Sequence, residues 1–523
     1  MVASSLPINQ NATALLMAET IFGDDVTITG ASYNGDFRSS GVYSNGDTVT
    51  PGVTPSDQGV ILSTGFVSDF TNSSGQENQS NSTSSNTTGG NNIADFNAAA
   101  GARTYDAAYL DVDFVPTGDL LTMQFVFASE EYPEFQSSVY QDFVGVWING
   151  TLVEIDVGNG DTDPGNINSG ENSNLYIDNS NDAFNTEMDG FTVTMTLTVP
   201  VNAGSVNSIR IGIADVADST YDSALLIAAD SAQTTLAALT DETSVYPNGS
   251  KTLDVLANDT YSGTGTLSIT HINGVSVTAG STVTLPSGSM VTLNADGTLT
   301  VTGDGDTEDY NFTYKVTDGT ITDTGIVNVD QVPCFVAGTL IATPQGDVPV
   351  ETLSPGDLVL TKDHGAQPLR WIGTRQVAAE GPFAPILIRA KTFGAHRDVL
   401  LSPLHRVLIR DEMAELLFGE DEVLVAARDL VNDATVLRQP GGEVTYVHLL
   451  FDQHQVVFSE GLATESFLPG PQTSASFDQE TLQEICALFP ELDPATGQGY
   501  GPAARRSLRR YEAELLMHES AVA

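Results

Sequence analysis

The stretch from Phe191 to Val199, FTVTMTLTV, alternates apolar and hydroxyl side chains. A period of two puts Phe191, Val193, Met195, Leu197 and Val199 on one face of an extended strand and four threonines on the other, an order that no amphipathic helix shows. Leu121 to Phe127 repeats the pattern, with Leu121, Met123, Phe125 and Phe127 inward. A one-sided strand needs a second layer over its apolar face, so residues 1–232 are expected to form an all-β, sandwich-like domain. Between its strands, residues 71–92 (TNSSGQENQSNSTSSNTTGGNN) carry one charge and no apolar side chain. With nothing to bury, this segment is expected to be a disordered loop.

A second β unit is expected over residues 236–330. Its signs are LDVLANDT (253–260), the hairpin VTLNADGTLTVT (291–302) around an Asn-Ala-Asp-Gly turn, and FTYKVTDGTIT (312–322) around Asp318-Gly319. At residue 334 the character of the chain changes. Residues 1–333 hold 5 Lys and Arg against 42 Asp and Glu, whereas residues 334–523 hold 14 against 26. So acidic a chain repels phosphate backbones and anionic lipid, which argues against nucleic acid and membrane surfaces as partners and favours divalent cations. No eighteen-residue apolar run marks a transmembrane segment, and residues 1–22 hold neither a basic residue nor an apolar run of signal-peptide length.

Cys334 stands at that seam and is the first of two cysteines. Around it, PCFVAGTLIATPQGDVPVETLSPGDLVLT (333–361) reads as short strands in tight hairpins, with Asp357 shaping one turn. These residues resemble the opening of a Hint domain, the self-processing module of hedgehog proteins and inteins. VLLSPLHRVLI (399–409) is similar to the family's second block, with Ser402 and His405 at its hydroxyl and histidine positions. YVHLLFDQHQVVFSEGLATESFLPG (446–470) is similar to its closing blocks. The resemblance covers 334–470 and implies an all-β, horseshoe-shaped domain.

In that family the thiol attacks the carbonyl before it, here that of Pro333, and exchanges an amide for a thioester without a cofactor. A free thiol of pKa about 8.5 is little ionised at neutral pH and needs a base or a polarised target. The resemblance assigns the acid–base work to His405, a hydrogen bond to the scissile amide to Ser402, and secondary roles to His448 and His454. Asp363 and His364 are further proton acceptors by residue type. Splicing members end in His-Asn, whose asparagine cyclises; Glu465 and Ser466 stand there instead. The expected chemistry is therefore a hedgehog-like first half-reaction at Pro333-Cys334 without splicing.

Two further resemblances concern the acidic half. FVFASEEYPEFQSSVYQDFVGVWING (125–150) and IGIADVADSTYDSALLI (211–227) are similar to the choice-of-anchor L domain of bacterial surface proteins, and residues 236–330 resemble the cadherin-like and immunoglobulin-like modules of bacterial adhesins. Glu130, Glu131, Asp142, Asp215, Asp218 and Asp222 either gather around Ca²⁺, which takes six to eight oxygens, or form a solvated acidic rim. Past residue 470, a tail (471–523) is expected to be helical, with one helix from Asp478 that holds Cys486 as an inert core thiol. A second helix, from about Ala503 to Met517, would carry Arg505, Arg506, Arg509 and Arg510. The chain is expected to be a bacterial surface or extracellular protein, exported without a signal peptide by an exporter that reads the C-terminus, with a cell-surface or matrix ligand. The competing expectation is a non-enzymatic, calcium-dependent adhesin or matrix protein with an inactive Hint fold.

Overall fold

The structure is a computed structural model of the 523-residue chain. It describes every residue except 1–3, 75–77, 81, 136–140, 154–161, 171, 246–249, 304–309, 331–334, 380–383, 433, 469–487, 490–499, 509–512, 514–515 and 517–523. Pro333, Cys334, Cys486 and most of the expected helix after Asp478 thus lie outside the described residues. The chain divides into two compact units, one of residues 1–241, 252–301 and 310–328, the other of residues 242–251, 302–309 and 329–523.

In the first unit, a five-stranded sheet runs Val26–Asn34, Thr104–Pro116, Asn207–Val216, Phe143–Ile148, Thr151–Val153. An eight-stranded sheet is built around Leu120–Ser129, which pairs with Ser223–Ala228, Gly190–Thr192 and Met195–Pro200. One core joins the two: Leu110, Val112, Ile209 and Ile211 of the first sheet pack with Met123, Phe125, Phe127 and Leu225 of the second. Leu120–Ser129 is covered on both sides, since Val126 and Ala128 enter a second cluster with Tyr43, Phe70 and Leu226.

The alternating stretch at 191–199 is not one strand. Phe191 pairs with Ala128 and Met195 with Phe125, so four steps on one strand match three on its partner. The extra residue is a bulge, and it switches faces: Val193, Met195, Leu197 and Val199 enter the main core, whereas Phe191 enters the second cluster.

The described part of residues 71–92 is tied down, contrary to the expected disorder. Asn78 donates its side-chain amide to Asp189 (2.9 Å), Gln79 its N–H to Glu187 (3.0 Å), Ser85 its N–H to Asp222 (2.8 Å), and Thr88 its N–H and hydroxyl to Asp36 (3.1 and 2.9 Å). Composition counts only what a segment can bury. Here the segment is ordered by acceptors elsewhere in the chain, with charge-assisted bonds stronger than neutral ones.

The expected hairpins of the second β unit are present: Met290–Leu293 and Leu299–Thr302 flank a turn closed by Asn294 N–H to Thr298 O (2.8 Å), and Tyr310–Thr317 and Thr322–Asp330 flank Asp318-Gly319. Gly297 and Gly319 have φ of 92° and 96°, left-handed values that favour glycine. The module docks on the N-terminal sheets through buried polar bonds. Gln124 donates to Thr322 O (2.7 Å), Thr196 to Asp323 (2.9 Å), and Asn174 to Asn311 O (2.9 Å).

The second unit holds a six-stranded sheet in the order Trp371–Ala378, Glu443–Leu450, Phe335–Val336, Val399–Leu401, Ile386–Ile388, Val436–Arg438. A nine-stranded sheet includes Leu340–Thr343, Val456–Ser459, Leu462–Glu465, Arg406–Arg410 and Glu422–Ala426. Phe335, Ile341, Val359, Leu401, Val407, Val425, Val447 and Val457 make their common core. The helix expected over residues 503–517 is present only in part: among the described residues Ala513 and Leu516 are helical and residues 503–508 are not, while Arg509 and Arg510 lie outside the described residues. Arg506–Ser507 is a strand, parallel to Glu422–Ala426, and Leu508, Ala513 and Leu516 are buried in the same core. Arg505 explains why an arginine-rich segment lies flat here: its guanidinium bridges Asp363 (2.8 Å) and Glu422 (2.9 Å).

Candidate active site

Phe335–Val336, the strand that follows Cys334, runs between two others: Phe335 pairs with Leu401 on one side and Val447 on the other. The first neighbour leads into Ser402, and the second is followed by His448. From Leu401 the chain turns through Ser402-Pro403-Leu404 to His405, and the turn is closed by His405 N–H to Ser402 O (3.1 Å). His405 O accepts from Ala427 N–H (3.0 Å) and Pro403 O from Arg428 N–H (2.8 Å), which anchors the turn on the far strand. His405 is 2% exposed and its ring centroid lies 4.2 Å from that of Phe335. Ser402 is buried as well. The fold thus brings the hydroxyl and histidine of the second block beside the residue that directly follows Cys334.

His448 is buried and lies edge-on to Phe467, with ring centroids 5.6 Å apart. His454 is fixed on both nitrogens. Nδ1 accepts Ala504 N–H (2.9 Å), and Nε2 faces Ser466 O (3.1 Å) and Glu465 Oε2 (3.5 Å). An accepting Nδ1 places the single proton of a neutral ring on Nε2, which donates. Asp363 is bound to Arg505, His364 Nδ1 contacts Gln455 Oε1 (2.9 Å), and Asp357 closes its turn by accepting Ser354 N–H (2.9 Å).

Sequence reasoning undervalued Glu465. It is 1% exposed, accepts Arg406 N–H on Oε1 (2.9 Å), and has the Arg406 guanidinium at 3.4 Å. Burial pushes its pKa up, but Arg406, His454 and His405 outweigh burial and hold it down at about 2. It is therefore a carboxylate in the interior, compensated on three sides. The sequence signal that could have found it is Arg406, a cation directly after the block histidine.

In the first unit, Glu130, Glu131, Asp142, Asp215 and Asp222 are all buried, which overturns the solvated rim for these five. Asp218 is half-exposed and caps a turn, accepting Thr220 N–H (3.0 Å). A bulge between Ile213 and Asp215 re-aims the strand end, and Asp106, Ala217 and Tyr221 have φ of 45°, 70° and 66°. The Asp222 carboxylate is seated over Gly65, where an added Cβ would lie 1.8 Å from Oδ2. Burial, with Asp142 next for Glu131, raises these acids: Glu130 to about 9, Glu131 to about 10, Asp222 to about 7, and Asp142 and Asp215 well above the usual carboxylate range. Among the described residues no group of three or more His, Cys, Asp or Glu is arranged to hold a metal ion.

With this geometry in hand, family comparison assigns the three parts. Residues 333–471 match the Hint domain, residues 5–233 the choice-of-anchor L domain, and residues 230–330 the bacterial Ig domain. The chain therefore combines regions that match a choice-of-anchor L domain, a bacterial Ig domain and a Hint domain. The first two suggest a surface or extracellular protein. No curated protein matches. Among solved structures the chain is similar to that of the gp41-1 intein, at 12% identity over 26% of this chain and 98% of that one, with a TM-score of 0.17. No described helix is long and apolar enough to cross a membrane.

Proposed function

We propose that the Hint domain cleaves its own chain between Pro333 and Cys334. Cys334 Sγ attacks the Pro333 carbonyl carbon, the C–N bond to Cys334 breaks, and the released amine takes a proton. The Pro333 acyl group is left on sulfur as a thioester. The thiol proton passes to solvent water, protonated His405 delivers one to the departing nitrogen and is recharged from solvent, and Ser402 hydrogen-bonds the scissile amide. Water or an external nucleophile then cleaves the thioester and frees the choice-of-anchor L and Ig domains with Pro333 as their C-terminus. The observation that carries this reading is the buried His405 ring against Phe335, one residue from the thiol. Splicing has no route at the other end: Glu465 and Ser466 occupy the closing block, and Ser466 is held to Gln455 by two hydrogen bonds, 2.8 and 2.9 Å.

The released part serves as a surface or extracellular binding module, with export that reads the C-terminal segment. Variants of the two cysteines test the chemistry. Cys334→Ala chains should stay intact at 55.2 kDa, while Cys486→Ala chains process as wild type. Equal processing in both would remove the thioester step.

A further inference from the structure

We propose that Glu465 is a positioning residue for this cleavage, a buried carboxylate that seats the His405 turn through the Arg406 main chain and supplies the negative charge against which His405 carries its proton. The inference rests on the self-cleavage reading and deepens it. Val407 pairs with Thr464 across an antiparallel ladder, which brings Arg406 to Glu465. The Arg406 N–H bond to Oε1 (2.9 Å) is therefore made one residue from the histidine. On the other side His454 Nε2 faces Oε2 at 3.5 Å, and His454 is itself held by Ala504 N–H at 2.9 Å. The network thus runs from the C-terminal segment through His454 and Glu465 to the His405 turn.

A buried, ionised carboxylate is costly unless it is paired. Here the Arg406 guanidinium is the formal partner, at 3.4 Å. That guanidinium is 36% exposed and screened by water, whereas Glu465 is buried, so the carboxylate still favours a positive charge on the buried His405. Among the described residues, the charged and titratable groups on the surrounding elements are few. Arg406 lies on the histidine's own strand, Glu465 and His454 come from the closing hairpin, His448 from the strand that pairs with Phe335, and Arg428 with Asp429 from the turn that holds His405 O. Arg428 and Asp429 contact each other at 3.5 Å, and Glu465 is the acid that accepts the main-chain N–H directly after His405. Glutamate at this place does not cyclise as asparagine does, so splicing chemistry does not account for a fully buried Glu465, whereas a charge role does.

The test is the pH–rate profile of thiol-induced cleavage in the full-length chain, for wild type, Glu465→Gln and Glu465→Asp. Removing a nearby opposite charge moves a histidine's titration down by about one unit or more, and each unit lowers its protonated fraction about tenfold above that point. Glu465→Gln should cleave about 10-fold more slowly near neutral pH, with the alkaline fall of the profile shifted about 1 unit lower. Glu465→Asp, which restores the charge, should recover most of the shift, as a merely space-filling role would not. An unchanged profile in Glu465→Gln, with wild type active, overturns the inference and leaves the cleavage reading intact. Wild type that does not cleave overturns that reading instead. If Glu465→Gln does not fold, imidazole NMR of the folded Cys334→Ala chain decides. His405 must still carry its proton where free histidine, pKa about 6.5, has lost it, and loss at or below that pH overturns the inference.

Discussion

At the scale of single residues, the site depends on two buried polar side chains seated against a phenylalanine. His405→Ala should slow cleavage by about 10² to 10⁴, the usual worth of a positioned acid–base group, and Ser402→Ala should cost less because it removes one hydrogen bond to the amide. Phe335→Ala deletes a fully buried ring that touches His405, so it should lower stability by about 3 to 5 kcal/mol and cleavage with it; denaturant unfolding alongside the rate measures both. Ser402 and His405 were legible in the sequence because their spacing is local and confined to one turn. The state of Glu465 was not. Its identity is plain to read, but Arg406 reaches it from another strand and His454 from a loop, and His454 is itself held by Ala504, 39 residues beyond Glu465, which only the fold brings together.

Among the elements, the segment from Tyr500 to Leu508 does work that its composition hides. Tyr500 donates its hydroxyl to Phe451 O (2.6 Å), Ala504 binds His454, Arg506–Ser507 extends a sheet, and Leu508 enters the core. Arginines at short spacing read as a helix face, yet Asp363 on a hairpin turn and Glu422 on a neighbouring strand hold the segment at Arg505. Truncation before Tyr500 should therefore lower the melting temperature of the Hint domain and suppress cleavage. Arg505→Ala alone should cost no more than about 1 kcal/mol, because its ion pairs are partly exposed. A truncated chain that melts and cleaves as wild type would contradict the docking. Two other misreadings have the same origin in pairing that sequence does not display. One extra residue opposite Ala128 to Phe125 divided a perfect alternating stretch, and carboxylates distant in sequence ordered the serine- and asparagine-rich segment 71–92.

For the whole molecule, a net charge of −49 is distributed unevenly, and five acids of the N-terminal domain sit where water does not reach. Unfolded carboxyls titrate near 4. Folded, Asp222 titrates at about 7, Glu130 at about 9 and Glu131 at about 10, so raised groups leave stability whole below about pH 4 and drain it as pH climbs through these values. The melting temperature of this domain should fall between pH 5 and pH 9 in scanning calorimetry at fixed ionic strength, and Glu130→Gln should flatten the fall. A level profile would contradict the burial. Calcium tests the other counter-charge. A melting temperature raised at pH 8 by millimolar calcium, and raised less in Asp215→Asn, would make the cluster a cation site, whereas indifference leaves protons in that role. The multidomain, mainly β character of the chain was legible from period and turn residues. The inward position of the acids was not, because a carboxylate in a strand looks the same whether it faces water or the interior.

The central claim is self-cleavage, and the intact mass of purified full-length protein tests it most directly, before and after incubation with hydroxylamine. The account predicts two fragments of about 35 and 20 kDa, the shares of 55.2 kDa on either side of the Pro333–Cys334 bond, with the larger one ending at Pro333. A single species that keeps its full mass through a day of treatment, with Cys334 no more reactive to alkylation than Cys486, would contradict it and leave the Hint domain a structural part of an adhesin.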